Sequence, residues 1–410
     1  MRASTYPMVT VDEAIEEVLA RTPVLGVEEV TLERALGRVL AETVRAGDDM
    51  PPFAASTVDG YAVISADGQQ PRQVLAEITA GNADGLALTS GTTVRIMTGA
   101  PLPTGADAVI MVEQTTERDG EMRTDARPTP GENVNPRGQD LAFGQDVLTP
   151  GTALGSAEIG LLAMVGRTQA RVYRQPVVAV LSTGDELVEP DRALRPGAIR
   201  DSNRYALLAS AREAGAAVLS LGMVRDVETE QEALIRAGLE RADVVLTSGG
   251  VSVGSRDLIK PILARIGTIH FGRVAFKPGK PTTFATVDDR LVFGLPGNPV
   301  SSLVSFEVFV RPALRKLQGL RDQRRPVVEV ELGHAVQPPP DRPEYQRAIV
   351  RWEGGRLVGR ATGAQRSSRL LSLVGANALL RIEPGGAELS AGSRVPALLL
   401  SEIGSAESAS

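Results

Sequence analysis

The 410-residue chain has no cysteine and only two histidines, His270 and His334. Disulfides and thiolate metal sites are excluded, and an imidazole-rich metal centre lacks ligands, so any metal is expected to be a hard ion held by oxygens. Lysine is nearly as scarce. Of the 44 basic residues only four are lysines, and three of these, Lys260, Lys277 and Lys280, fall in one stretch. No apolar run approaches the roughly 20 residues of a membrane span. Residues 1–10 lack the charged start, apolar block and cleavage signal of a secretory leader, so the cytoplasm is the expected location. A net charge of −6 and a pI near 5.3 leave no extended basic face for nucleic acid, and an anionic ligand must be met by local positive groups. There is no G-x-x-x-x-G-K-[ST] segment and no G-x-G-x-x-G after a strand, so neither P-loop nor dinucleotide chemistry is indicated.

What is present centres on Asp243 to Pro281, which reads DVVLTSGGVSVGSRDLIKPILARIGTIHFGRVAFKPGKP. Asp243 to Thr247 is a short β-branched run that predicts a buried strand, opening at Ser248-Gly249-Gly250 into a loop with backbone freedom. Asp257 precedes Leu258, Ile259 and Lys260, and Pro261 is tolerated only in a first turn, so a helix is predicted to start at or just after Asp257. Strand, Gly-rich turn and helix N-terminus together make an anion site. Lys277 and Lys280 flank the Pro278-Gly279 turn, which can aim two ammonium groups at one target. Taken singly, each feature also fits a plain cap or a tight turn.

The length predicts three or four domains. Thr10 to Glu13 is a capping box that opens an amphipathic helix with Val11, Ile15, Val18 and Leu19 on one face. A short helix is expected over residues 32–38 and another from Gly155 to Gly166. We group residues 1–52 and 141–175 as an elongated helical and extended N-terminal domain. Residues 53–140 form a small β-rich domain with Gly-containing turns. It carries Asp59 in a polar Ser56–Tyr61 turn, Thr98 in a Pro-stiffened loop, and Asp140 at the end of GENVNPRGQD. From Pro176 to about residue 325 strands alternate with helices, as in a doubly wound α/β domain, which binds ligands at the carboxyl ends of its strands. Glu186, Asp226, Ser248 to Gly250, Asp257 and Pro296-Gly297-Asn298 fall at those ends, with Asn298 expected to cap a helix over 300–316. Acidic groups beside anion-binding loops point to a magnesium-assisted reaction on a phosphate compound. Residues 326–400 predict a barrel-like β domain, and 401–410 a disordered tail.

The blocks RIMTGAPLPTGADAVIMVE, GENVNPRGQD, LSTGDEL, RDSN, SGGVSVG followed by Asp257, KPGKP and LPGNPVSS stand in the order found in the molybdopterin molybdenumtransferase family, that of MoeA and the gephyrin E domain. The resemblance spans nearly the whole chain. Residues 176–325 alone also resemble the smaller molybdopterin adenylyltransferase domain. The family resemblance implies a molybdopterin-binding α/β domain and insertion of molybdenum from molybdate into adenylylated molybdopterin, with Mg²⁺ required and AMP released. It implies that Ser248, Gly249, Gly250 and Asp257 hold the nucleotide phosphate and Mg²⁺, with Asp226 and Glu186 nearby. Asp201 and Asn203 of RDSN, and Pro296, Gly297 and Asn298, would contact substrate. Lys277, Lys280 and Ser301, with Arg342 and Ser367 of the last domain, would form the molybdate pocket, and Arg347 is an alternative to Arg342. Asp59, Thr98 and Asp140 would come from the neighbouring subunit of a homodimer with shared clefts.

The chain departs from the family at Ala54 and Ala55, where Asp-Asn is frequent, and at Arg366, where Gly is common beside Ser367. A transient contact with an adenylyltransferase is a further implication, and a non-catalytic scaffold is the competing reading. The scaffold reading gives no chemical reason for the acidic set Asp59, Asp140, Glu186, Asp226 and Asp257. Replacing Asp257 with Ala is expected to abolish AMP release from adenylylated molybdopterin while the protein still folds. Unchanged turnover would refute the metal assignment.

Overall fold

The computed structural model describes residues 6–81, 85–251 and 258–405. Val177–Thr183 and Val244–Ser248 are apolar and almost wholly buried, as central strands of a sheet covered on both faces must be. The six-stranded sheet runs Ala217–Val224, Val177–Thr183, Val244–Ser248, Arg290–Leu295, Thr283–Val287, Thr268–Phe271. The first four are mutually parallel, with Asn203–Glu213, Glu228–Arg241 and Ile259–Ile266 among the connecting helices. The doubly wound domain is therefore present, with an antiparallel edge added. Only Asp288 and Asp289 separate Val287 from Arg290, and Asp288 adopts φ 50°. A two-residue turn of that hand forces the adjoining strands antiparallel.

One face of this sheet is closed by a long helical stretch, Pro299–Ser305, a π turn at Phe306–Val310, and Arg311–Leu317. Pro312 has no N–H to give an α-helical ladder, and the widened turn accommodates it. Six of the eight phenylalanines (Phe271, Phe276, Phe284, Phe293, Phe306, Phe309) gather in this core. Each fully buried side chain of this size contributes on the order of 2–3 kcal/mol.

The N-terminal helix Val11–Arg21 forms with the expected capping box, the Thr10 hydroxyl accepting from Glu13 N–H and the Glu13 carboxylate accepting from Thr10 N–H. Its location corrects the sequence grouping of residues 1–52 with 141–175. Val11, Ala14, Ile15 and Val18 pack into the phenylalanine core of the α/β body. Val9 bridges Val274, and Leu25 N–H donates to the Leu317 carbonyl. Capping and periodicity are local signals; the partner of an apolar face is decided by which surface is left uncovered.

The remaining N-terminal elements make a separate body. Val27–Thr31 pairs with Gln169–Tyr173, Val44–Arg45 pairs with Asp146–Leu148, and the helix Ser156–Met164 packs on them. The helix expected over 32–38 is a single 3-10 turn, Leu32–Arg34, because Gly37 takes φ 73° and the chain turns away. The small β-rich domain is a six-stranded sheet in the order Ala108–Met111, Gly60–Val63, Thr92–Ile96, Arg72–Ile78, Glu121–Thr124, Thr115–Arg118.

The last domain is a closed five-stranded barrel. Arg356–Ala361, Val327–Leu332, Arg394–Leu399, Ala378–Ile382 and Glu344–Glu353 pair in sequence, and the last closes on the first. The expectation of a disordered tail is corrected for its first part, since Gly404–Ser405 extends the sheet beside Arg351 and Trp352. Residues 406–410 lie outside the described residues. Among the described residues no helix is long and apolar enough to cross a membrane.

At the amino edge of the α/β sheet, Asp243 is buried and accepts from Arg174 Nη1 and Nη2 at 3.0 and 2.7 Å, from Arg290 Nη1 at 2.7 Å and from Val177 N–H at 2.9 Å. Burial pushes this carboxyl up, but the Arg174 hydrogen bonds, the Val177 amide and the two guanidinium charges outweigh it and hold the pKa below the usual carboxylate value. A carboxyl depressed in the folded state contributes stability above its unfolded pKa, near 3.9, and loses it as pH falls through the folded value. Asp243→Asn is therefore expected to cost about 2 kcal/mol at pH 7, less than a fully buried pair because both arginines are half-exposed. In urea melts the deficit should shrink below about pH 4; a deficit independent of pH would refute the ionic account.

Candidate active site at the carboxyl edge of the sheet

The parallel strands Val177–Thr183 and Val244–Ser248 are neighbours whose connections leave in opposite directions, so a crevice opens beyond their carboxyl ends. It is a hollow of about 690 Å³. Ser182 to Gly184, Glu186, Asp201 to Asn203, Asp226, Ser248 to Val251 and Pro296 to Asn298 line it. The Gly-rich loop passes close under its neighbours. Gly249 has φ 97°, and a Cβ there would lie 2.5 Å from the Thr183 carbonyl oxygen. No other residue type fits, and the loop backbone is left bare toward the crevice. Asn203 ties the rim together by donating from Nδ2 to Ser248 Oγ and to the Gly297 carbonyl, each at 2.8 Å.

The acidic residues divide by environment. Glu186 is exposed and Asp226 half-buried on this rim. Asp226 Oδ1 accepts from Gln231 Nε2 at 3.4 Å, and its N–H donates to Asp185. Asp257 lies outside the described residues. Among the described residues no three His, Asp or Glu side chains converge as a metal site. Asp201 also lines the hollow, but its carboxylate is buried and accepts from Ser182 Oγ, Arg204 N–H and Arg204 Nε. Its side chain caps the helix Asn203–Glu213 and anchors Arg204, so it shapes the rim from within.

A second hollow of about 500 Å³ adjoins the first, with Pro281 in the wall of both. Phe276 to Lys280, Ser301, Arg342 and Gln365 to Ser367 line it. Lys277, Lys280, Ser301, Arg342 and Ser367, singled out in the sequence, are thus brought together from two domains. Gly279 lets the turn close, because a Cβ there would lie 2.2 Å from Phe276 Cζ. Asn298 stands at the N-cap of Pro299–Ser305, as expected, but its side chain does not cap. It donates to Ser367 Oγ at 3.1 Å, while Val300 N–H donates to the Ser367 carbonyl. The barrel supplies the cap, an arrangement that sequence spacing does not reveal.

Of the two arginine alternatives, Arg342 lines the hollow and Arg347 lies behind it. Arg347 is fully buried, its Nε donating to Ser372 Oγ and its Nη2 to the Arg366 carbonyl, and its Nη1 has no partner. Burial lowers its pKa, with Glu344 acting in the opposite direction. Sequence reasoning missed Glu344, whose Oε1 lies 2.9 Å from Lys277 Nζ. The only available signal was an acidic residue two positions after Arg342.

Asp59 and Thr98 meet in the small β-rich domain, where Asp59 Oδ1 accepts from Thr98 N–H and Oγ1 at 2.7 and 2.8 Å. The backbone N–H and then the hydroxyl of Thr98 hold the Asp59 carboxyl below its ordinary value. Asp140 is exposed and fixed through its N–H to the Met50 carbonyl. None of the three lines either hollow within the one chain.

Residues 9–166 match the MoeA N-terminal region (domain I and II), 179–316 the probable molybdopterin binding domain, and 329–400 the MoeA C-terminal region (domain IV). The chain is 37% identical to the molybdopterin molybdenumtransferase of Haemophilus influenzae over 95% of its own length and 98% of that protein. It is 37% identical to the gephyrin of Dictyostelium discoideum over 98% of its length, but spans only 64% of that longer protein. The crystal structure of the molybdopterin biosynthesis MoeA protein from Pyrococcus horikosii superposes with a TM-score of 0.83 at 32% identity, covering 97% of this chain and all of that one. With three consecutive regions matched and the whole architecture shared, the chain belongs to the MoeA family.

Proposed function

We propose that the protein is a molybdopterin molybdenumtransferase that inserts molybdenum from molybdate into adenylylated molybdopterin and releases AMP. The observation that carries this reading is the adjacency of two different hollows. One has bare glycine backbone and carboxylates; the other has two lysines, two arginines and two serines, and Pro281 stands in the wall of both. The first suits a phosphate-bearing nucleotide and the second a small oxyanion. The dithiolene sulfurs that take the metal belong to the pterin, so a chain without cysteine is no obstacle.

Glu186 and Asp226 on the rim of the first hollow are oxygen donors of the kind Mg²⁺ takes, and the family resemblance adds Asp257 as a third. Glu186, Asp226 and Asp257 would hold such an ion, and it would supply charge neutralisation for a bound phosphate. The chain's own residues do the rest. Ser248, Gly249 and Gly250 receive the phosphate, and Asn203, Pro296, Gly297 and Asn298 fix the facing loop. Lys277, Lys280, Arg342, Ser301 and Ser367 hold the oxyanion at the mouth of the nucleotide hollow, with Arg347 behind them. Asp59, Thr98 and Asp140 would complete the site from the partner of a homodimer, which fits their absence from the lining of both hollows within one chain. We place the protein in the cytoplasm and expect a transient contact with the adenylyltransferase that supplies its substrate.

Incubation with adenylylated molybdopterin, Mg²⁺ and molybdate, following AMP and cofactor together, tests the activity. Joint appearance of both supports it, and neither appearing would favour a scaffold. Lys277→Ala is expected to raise the molybdate concentration for half-maximal turnover by roughly tenfold, the loss of one charge-assisted contact. An unaltered dependence removes Lys277 from the pocket.

A further inference from the structure

Among the described residues, the oxyanion hollow has no acidic residue in its lining, yet a carboxylate stands directly behind one of its two lysines. Glu344 opens the barrel strand Glu344–Glu353. Its carboxylate is only 7% exposed, against 48% for the Lys277 side chain that it contacts at 2.9 Å. The backbone gives it no freedom to leave. Lys277 N–H donates to the Pro343 carbonyl at 2.9 Å and Tyr345 N–H donates to the Lys277 carbonyl at 2.7 Å, so Glu344 is clasped on both sides. Its second oxygen accepts from Gln346 Nε2 at 3.1 Å, and the Tyr345 ring packs edge-on against Phe276, the residue before Lys277.

An anion reaching Lys277 therefore meets an ammonium already shared with a buried negative charge, and the carboxylate cannot swing out to relieve the repulsion. We propose that Glu344 is a resident counter-ion of the oxyanion pocket: it positions Lys277 and competes with the incoming oxyanion, and so sets how tightly the pocket holds tetrahedral dianions. The inference rests on the reading of this hollow as the molybdate site. Glu344 is a positioning residue, since it reaches the ligand only through Lys277. A weakened grip serves a site that must pass its oxyanion on.

The test is direct binding of sodium molybdate to the full chain by calorimetry at constant ionic strength, without pterin. Glu344→Gln keeps an acceptor for Lys277 and removes the charge, and it is expected to tighten molybdate binding by about fivefold, the scale of one partly screened charge. Glu344→Asp should stay near wild type. A purely structural role would leave Glu344→Gln unchanged or weaker, and that result overturns the proposal. A second arm covers a poorly folded single variant. Lys277→Gln is expected to weaken binding, and adding Glu344→Gln should recover much of it, because the unopposed carboxylate is gone; no recovery counts against competition. Lys280→Ala separates the two readings. If it weakens binding while the Glu344 variants do nothing, the pocket stands and the counter-ion falls. If the wild-type chain binds no molybdate, both fall.

Discussion

A parallel sheet that winds outward in both directions from one strand leaves an uncovered notch, and the proposed site of this protein is built in that notch. Val177–Thr183 is followed by a neighbour on one side and Val244–Ser248 on the other, so the helices that cover the faces part company above Thr183 and Ser248. Just past those ends Gly184 N–H still donates to the Val224 carbonyl and Gly249 N–H to the Leu295 carbonyl, and from there the loops leave the sheet around the notch. The rest of the rim keeps the notch open at fixed width. Gly249 lets the loop pass within contact of Thr183, Asn203 joins it to Gly297, and the buried Asp201–Arg204 pair holds the base of the third loop.

The second hollow exists only because the barrel docks at the edge of that notch. Lys277 is bracketed by Pro343 and Tyr345, and Ser367 meets both Asn298 and the amide of Val300 at the start of Pro299–Ser305. Backbone contacts set the distance between the domains, and the side chains carry the charge. Glu344 sits at this seam, where a carboxylate from one domain is buried against an ammonium from the other. Such a pair is costly to separate once formed, which couples the seating of the barrel to the place of Lys277.

The division of labour between the basic residues follows their chemistry. Arginine, with its rigid fork, holds fixed structural partners: Arg174 on Asp243, Arg204 on Asp201 and Glu189, Arg325 on Glu307. The four lysines divide between structure and the second hollow, and Lys316 is one of the structural ones, donating to the Leu19 carbonyl. Lys260 donates to the Val251 carbonyl behind the Gly-rich loop, and Lys277 and Lys280 line the second hollow together with Arg342 and Arg366.

Much of this was legible in the chain. The buried strand before Ser248-Gly249-Gly250, the capping box at Thr10, the lysine pair around Pro278-Gly279 and the order of the motif blocks are local patterns, and their consequences are set by backbone sterics, side-chain period and charge. They determined the α/β domain and the family, and they marked the two elements proposed here to bind anions. The tertiary structure decided what depends on distant segments meeting. It sent the Val11–Arg21 helix to the phenylalanine core, gave Asn298 to Ser367 in place of its own helix, put Arg342 on the wall and Arg347 behind it, and set Glu344 against Lys277. Those pairings span tens to hundreds of residues, and the energy that selects them is the burial and hydrogen bonding of whole surfaces, which no local pattern of residues encodes.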